Sequence, residues 1–151
     1  MRGFLKTAQK KWRTRSVMPI YVAGPVLRPT TELPGWVAEC YGIIRDFVSN
    51  NPRYKAQFPI AESLLERMSS ADFMAEITRR IQNVDNVIAI FLPDDQSVPV
   101  ECALAVAAGK RVLLLHKSGT KIPRILAGLP GITTSAFGPT TRQRIQLFLL
   151  G

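Results

Sequence analysis

Two apolar runs separated by an acidic loop and a small-residue stretch constrain this chain more than any other feature. Val87-Ile88-Ala89-Ile90-Phe91-Leu92 leads into Pro93-Asp94-Asp95-Gln96-Ser97, then Val98 to Gly109, then Arg111-Val112-Leu113-Leu114-Leu115. Each run is far shorter than the roughly 20 residues a membrane helix needs. Neither alternates polar with apolar residues, which marks a strand covered on both faces of a parallel sheet. The segment is therefore expected to fold as β-loop-α-β. A loop leaving such a strand opens at the carboxyl edge of the sheet, where open α/β folds bind their ligands. Asp94, Asp95, Ser97 and Glu101 lie on that loop or at the start of the helix that follows it.

The rest of the chain repeats the alternation. Met18 to Pro25 reads as a first strand broken by Gly24-Pro25, and Val26 to Pro34, with Arg28, as a loop. Trp36 to Val48 carries an apolar helical stripe that Asn50-Asn51-Pro52 ends. Tyr54 to Ile60 is a strand candidate and Ala61 to Met68 a short helix. Ser69-Ser70 cap a helix through Asn83, with Phe73, Met74, Ile77 and Ile81 on one face and Asp72, Glu76, Arg79 and Arg80 on the other. Ile122 to Leu129, Ile132 to Phe137 and Thr140 to Leu150 supply a short helix, a last strand and a final helix. Right-handed βαβ crossovers then predict a flavodoxin-like, Rossmann-like α/β fold: a five-stranded parallel sheet with helices on both faces. Its switch point would bring together the loop from Gly24 to Thr31 and the loop from Pro93 to Glu101.

With 151 residues and 46% hydrophobic content the chain has the size of one domain with a real core. The formal charge of +9 is uneven, because Arg2, Lys6, Lys10, Lys11, Arg13 and Arg15 precede the first acid, Glu32. The expected organisation is a basic arm over residues 1–17 and a single α/β domain over 18–151. Such an arm fits a solvated extension, a helix docking Phe4, Leu5, Ala8 and Trp12, a targeting peptide, or a nucleic-acid contact. Cys40 and Cys102 fall in apolar helical surroundings. With His116 the lone histidine and no CxxC, neither a zinc site nor a disulfide framework is expected, and the thiols fit a reducing, cytoplasmic setting.

Glu101 is expected in the first turn of a helix that Pro99 opens, where the helix end would keep its carboxylate ionised. An ionised carboxylate at a sheet edge suits attack on the anomeric carbon of a sugar, whose transition state is cationic. Glutamate is equally at home in a first helical turn for stability alone. Ser97 reads either as a phosphate contact at the helix start or as its cap, Asp94 as a ligand group or a turn former, and Arg28 as a phosphate partner or a solvated loop residue.

Ile20-Tyr21-Val22-Ala23-Gly24-Pro25, Val84-Asp85-Asn86-Val87-Ile88-Ala89, Val100-Glu101-Cys102-Ala103-Leu104-Ala105 and Gly109-Lys110-Arg111-Val112-Leu113-Leu114 together resemble the nucleoside 2-deoxyribosyltransferase superfamily, which includes the nucleotide N-glycoside hydrolases. The resemblance implies that Glu101 is the catalytic nucleophile, that Asp95 assists at the base, and that Tyr21 and Gly24 line the nucleoside pocket. It also implies chemistry without metal or cofactor, a nucleoside or nucleotide as ligand, and a homodimer or larger assembly that completes the pocket. Two positions depart from the family pattern. Ile77 stands where the family carries an aspartate, with Glu76 the nearest substitute, and Ala103 stands where it carries glycine. Two other readings share the architecture: a TIR-like NAD hydrolase, and a non-catalytic binder of nucleotides or nucleic acid.

Overall fold

The computed structural model describes residues 17–26 and 33–151. Residues 1–16 of the expected basic arm, and Arg28, lie outside them. Five strands form one sheet in the order β2-β1-β3-β4-β5: β1 (Met18–Ala23), β2 (Tyr54–Gln57), β3 (Asn86–Phe91), β4 (Arg111–His116) and β5 (Ile132–Ala136). Every pairing is parallel. This is the expected flavodoxin-like α/β architecture, and its strand order reverses direction between β1 and β3. No described helix is long and apolar enough to cross a membrane.

Strand pleating explains why the central strands read as unbroken apolar runs. Successive side chains of β1 and β3 point to opposite faces, and both faces are covered. Ile20, Val22, Ile88 and Ile90 pack with helix α1 (Gly35–Asn50) and helix α6 (Thr141–Leu150). Tyr21, Ala23, Val87, Ala89 and Phe91 pack with helix α3 (Ser70–Gln82) and helix α4 (Ser97–Ala107). Two short helices, α2 (Glu62–Leu65) and α5 (Arg124–Ala127), complete the chain. All six residues of β3 are buried, as befits a central strand.

Local chemistry sets the boundaries. Ser69 caps α3 by accepting the Asp72 N–H at 3.1 Å. Helix α4 ends in a Schellman turn: Gly109 takes φ 75°, its N–H reaches Val106 O at 3.0 Å, and the Lys110 N–H reaches Ala105 O at 2.9 Å. Strand β2 stops at Gln57, short of the expected Ile60, because Pro59 has no N–H for a sheet ladder. Helix α2 likewise fills only the middle of the expected Ala61–Met68 segment.

The turn after β1 depends on a close approach rather than on a left-handed backbone. A Cβ placed on Gly24 would stand 2.5 Å from the Tyr41 hydroxyl oxygen and 3.3 Å from the Ile90 Cβ. That hydroxyl donates to Pro25 O at 2.8 Å, and its ring is buried at 1% exposure, so it has little room to retreat. Gly24→Ala is therefore expected to lower unfolding free energy by about 1–3 kcal/mol, as overpacking does. Urea denaturation would measure this, and adding Tyr41→Phe, which removes the offending oxygen, should make the second substitution less costly than it is in the parent.

Candidate active site

A cavity of about 800 Å³ opens at the carboxyl edge of the neighbouring strands β1 and β3, where the strand order reverses. Its polar side is built from Tyr21 on β1, Asp95 and Ser97 after β3, and Glu101 on α4. The switch point thus brings Gly24 to Val26, the start of the first expected loop, beside the second, and residues 27–31 of the first lie outside the described residues. Tyr21 and Glu101, eighty residues apart in the chain, are joined by a hydrogen bond in which the Tyr21 hydroxyl donates to Glu101 Oε1 at 2.5 Å. Gly24 and Pro25 also border the cavity.

The start of α4 differs from expectation. The helix begins at Ser97, so Pro99 is its third residue and Glu101 lies beyond the first turn. The cause is Asp95, whose Oδ1 accepts the N–H groups of Ser97 at 2.8 Å and Val98 at 3.3 Å and so starts the helix early. Proline is still tolerated at the third position, since its missing N–H would have had no intrahelical partner. Ser97 is therefore the first helical residue rather than the cap, and its N–H is directed to Asp95 while the residue borders the cavity.

This geometry also corrects the expected charge state of Glu101. Burial raises its carboxyl from 4.5 to about 7, opposed by the Tyr21 hydrogen bond and reinforced by the nearby Asp95 charge. Desolvation outweighs the helix end because Glu101 is set a turn inside the helix, and helix-end effects fade within the first turn. Tyr21 itself is driven strongly toward its neutral form by burial and by the Glu101 charge, so it stays a donor at neutral pH. The thiols of Cys40 and Cys102 are buried and each pushed up to about 12, which makes them packing groups rather than nucleophiles.

Other candidates fall elsewhere. Glu76 is off the cavity wall and binds Arg79 at 2.7 Å and Arg80 at 2.8 Å, which hold its carboxyl down at about 2. It does not stand in for the aspartate that the resemblance implies at position 77, because Ile77, 3% exposed, is the residue that borders the cavity. Asp94 and Ala103 are both exposed and are not part of the wall. Trp36 packs against Phe137 and Tyr41 against Phe58, both within the core layer of α1. Among the described residues no group of three or more His, Cys, Asp or Glu is arranged to hold a metal ion.

The apolar wall was not anticipated as part of a site. Phe73, Met74 and Ile77 on α3, with Leu65 and Met68 before it, face Glu101 across the cavity, and Met74 is 40% exposed. The stripe on α3 is longer than its core contact requires, since only Ile77 and Ile81 are buried. That surplus was the available signal.

Solved structures share this fold. The CMP N-glycosidase of Clostridium botulinum superposes with TM-score 0.56 at 16% identity, over 86% of this chain and 99% of that one. A 2-deoxyribosyltransferase of Bacillus psychrosaccharolyticus superposes with TM-score 0.58 at 19% identity, over 85% and 90% of the two chains. A de novo designed Rossmann 2x3 protein also matches, with TM-score 0.53 at 14% identity, over 88% and 89%. No protein-family model matches the chain, and no curated protein matches it by sequence. At these identities the likeness is one of fold.

The raised Glu101 carboxyl has a consequence for stability. Below pH 4.5 the group is protonated whether the chain is folded or not. Between 4.5 and about 7 the folded protein holds a proton that the unfolded chain has lost, so stability falls as pH rises. Above that window the full penalty persists. Glu101→Gln, which keeps an acceptor for Tyr21 without the charge, is expected to unfold like the parent at pH 4 and to be more stable at pH 8 by up to about 3 kcal/mol. Denaturant melts at the two pH values measure the difference.

Proposed function

We propose that this protein breaks or exchanges the N-glycosidic bond of a nucleoside or nucleoside 5′-monophosphate, with Glu101 as nucleophile. The observation that carries the reading is a carboxylate on the wall of a switch-point cavity, held through one oxygen by a neutral tyrosine. The sequence resemblance to the 2-deoxyribosyltransferase superfamily, and a fold shared with an N-glycosidase and a deoxyribosyltransferase, support it.

The division of labour follows from the atoms. With Oε1 engaged by Tyr21, Oε2 of Glu101 is the atom available to attack the anomeric carbon. As the new C–O bond forms, the C–N bond breaks and its electron pair leaves with the base. Negative charge beneath the sugar stabilises the oxocarbenium-like transition state. Asp95 commits Oδ1 to the helix start, so Oδ2 is the oxygen that can meet the departing heterocycle. Water then attacks the sugar ester in a hydrolase, or a second base in a transferase, and either releases the Glu101 carboxylate. In the ester the Tyr21 hydroxyl still has the acyl oxygen to donate to, so it orients Glu101 throughout.

Only ionised Glu101 attacks, so kcat/KM for base release is expected to rise with pH through about 7. Tyr21→Phe removes the interaction that favours the carboxylate, which should displace this limb upward and lower activity at neutral pH on the order of tenfold or more. Glu101→Gln should stay folded and release no base from a panel of nucleosides and 5′-monophosphates. Full activity in that variant would reject the reading, and nicotinamide release from NAD in place of base release would assign the cavity to dinucleotides.

A further inference from the structure

One cation that the chemistry above leaves unused joins two segments that carry the cavity wall. Arg80 lies on α3 one turn after Ile77, on the helix that carries the apolar wall. Its Nε donates to Glu76 Oε1 at 2.8 Å, and its Nη1 donates to Phe58 O at 3.2 Å. Phe58 immediately precedes Pro59 and Ile60, which form a neighbouring part of the wall. The Phe58 ring is gripped separately, edge-on to Tyr41 at 5.7 Å and beneath the Arg45 guanidinium at 4.8 Å. Tyr41 in turn donates to Pro25 O beside Gly24. The wall segments after β1 and β2 and along α3 are therefore linked through Phe58, and Arg80 is the link that reaches α3.

We infer that Arg80 is a positioning residue of the Glu101 site, stapling the α3 wall to the Phe58 carbonyl while Glu76 fixes the direction of its guanidinium. The inference rests on the function proposed above. A planar guanidinium can serve a carboxylate and a carbonyl at once, which a lysine ammonium on a single flexible stem does less well. Arg79 provides an internal contrast. It shares Glu76, through 3.0 and 2.7 Å hydrogen bonds, but is exposed and makes no bond to the loop.

Arg80 also acts electrostatically. Its charge opposes the upward drift of the Tyr21 hydroxyl, which makes Tyr21 the stronger donor to Glu101. The other groups acting on this pair are Asp95 from the loop after β3 and Cys102 on α4 itself. Tyr41, from α1 on the opposite face, feels the charge of both acids. Arg80 is the cation that acts on Tyr21, while Arg45 on α1 acts on Tyr41.

The test compares Arg80→Met, Arg80→Lys and Arg79→Ala by two readouts. One is the titration of the Glu101 carboxyl carbon in ligand-free protein by NMR. The other is base release from a nucleoside 5′-monophosphate as a function of pH. Arg80→Met is expected to move the carboxyl titration and the acid limb of kcat/KM upward by weakening Tyr21 as a donor, and to raise KM on the order of tenfold with a smaller change in kcat. Arg80→Lys should restore the titration but not KM, and Arg79→Ala should leave both unchanged. Arg80→Met that behaves as Arg79→Ala does would overturn the inference. If Arg80→Met does not fold, Arg80→Lys with parental KM would overturn it equally. A parent that releases no base, alongside a carboxyl titration that still shifts in Arg80→Met, would reject the proposed function and leave the staple standing.

Discussion

The hydrogen bond from Tyr21 to Glu101 is the contact on which the rest of the site depends. It joins the first strand to a helix that follows the third strand, across the point where the strand order reverses. Neither partner could be in place without the parallel register that sets Tyr21 beside Val87 and turns both toward α3 and α4. Nor could it form if the chain after β1 were lifted, and the missing side chain at Gly24 lets that turn lie directly against the Tyr41 hydroxyl. The geometry of the cavity and the packing of the core are here the same set of contacts seen from two sides of the sheet.

Much of the fold could be read before any coordinates, because β3 and β4 are so uniformly apolar that only a doubly covered parallel sheet accommodates them. The helical stripe from Trp36 to Val48 and the Ser69 cap gave boundaries close to those observed. Tyr21, Gly24, Asp95, Ser97 and Glu101 all border one cavity, since the switch point follows from strand order alone. What escaped the sequence was finer. The start of α4 turns on a single side chain, Asp95, accepting two backbone N–H groups, and a proline nearby offered a competing and equally reasonable first position. The charge state of Glu101 is hidden from the sequence for a related reason: the helix end is legible there, but the depth of burial opposing it depends on a wall assembled from distant segments. Glu76 and Ile77 are adjacent residues with opposite fates, and only the rotation of α3 decides which faces the cavity.

The cavity combines properties that pull against each other. Burial against an apolar wall makes ionisation of Glu101 costly, the Tyr21 hydroxyl offsets part of that cost, and the same desolvation leaves the carboxylate more reactive once formed. Stability surrendered at a site of this kind is a common accompaniment of function. Asp95 shows a different compromise, serving the helix through one oxygen while the other remains for a ligand. With Ile77 on the wall, Asp95 and Glu101 are the acids that border the cavity among the described residues.

A crystal structure of the Glu101→Gln variant soaked with a nucleoside 5′-monophosphate addresses the nucleophile most directly. An intact ligand whose anomeric carbon lies within about 3.5 Å of the side-chain oxygen or nitrogen at position 101, with the glycosidic bond pointing away, is the arrangement expected of an attacking group. A sugar seated with that carbon out of reach, or a cavity still empty at saturating nucleotide, would contradict a nucleophilic role for Glu101.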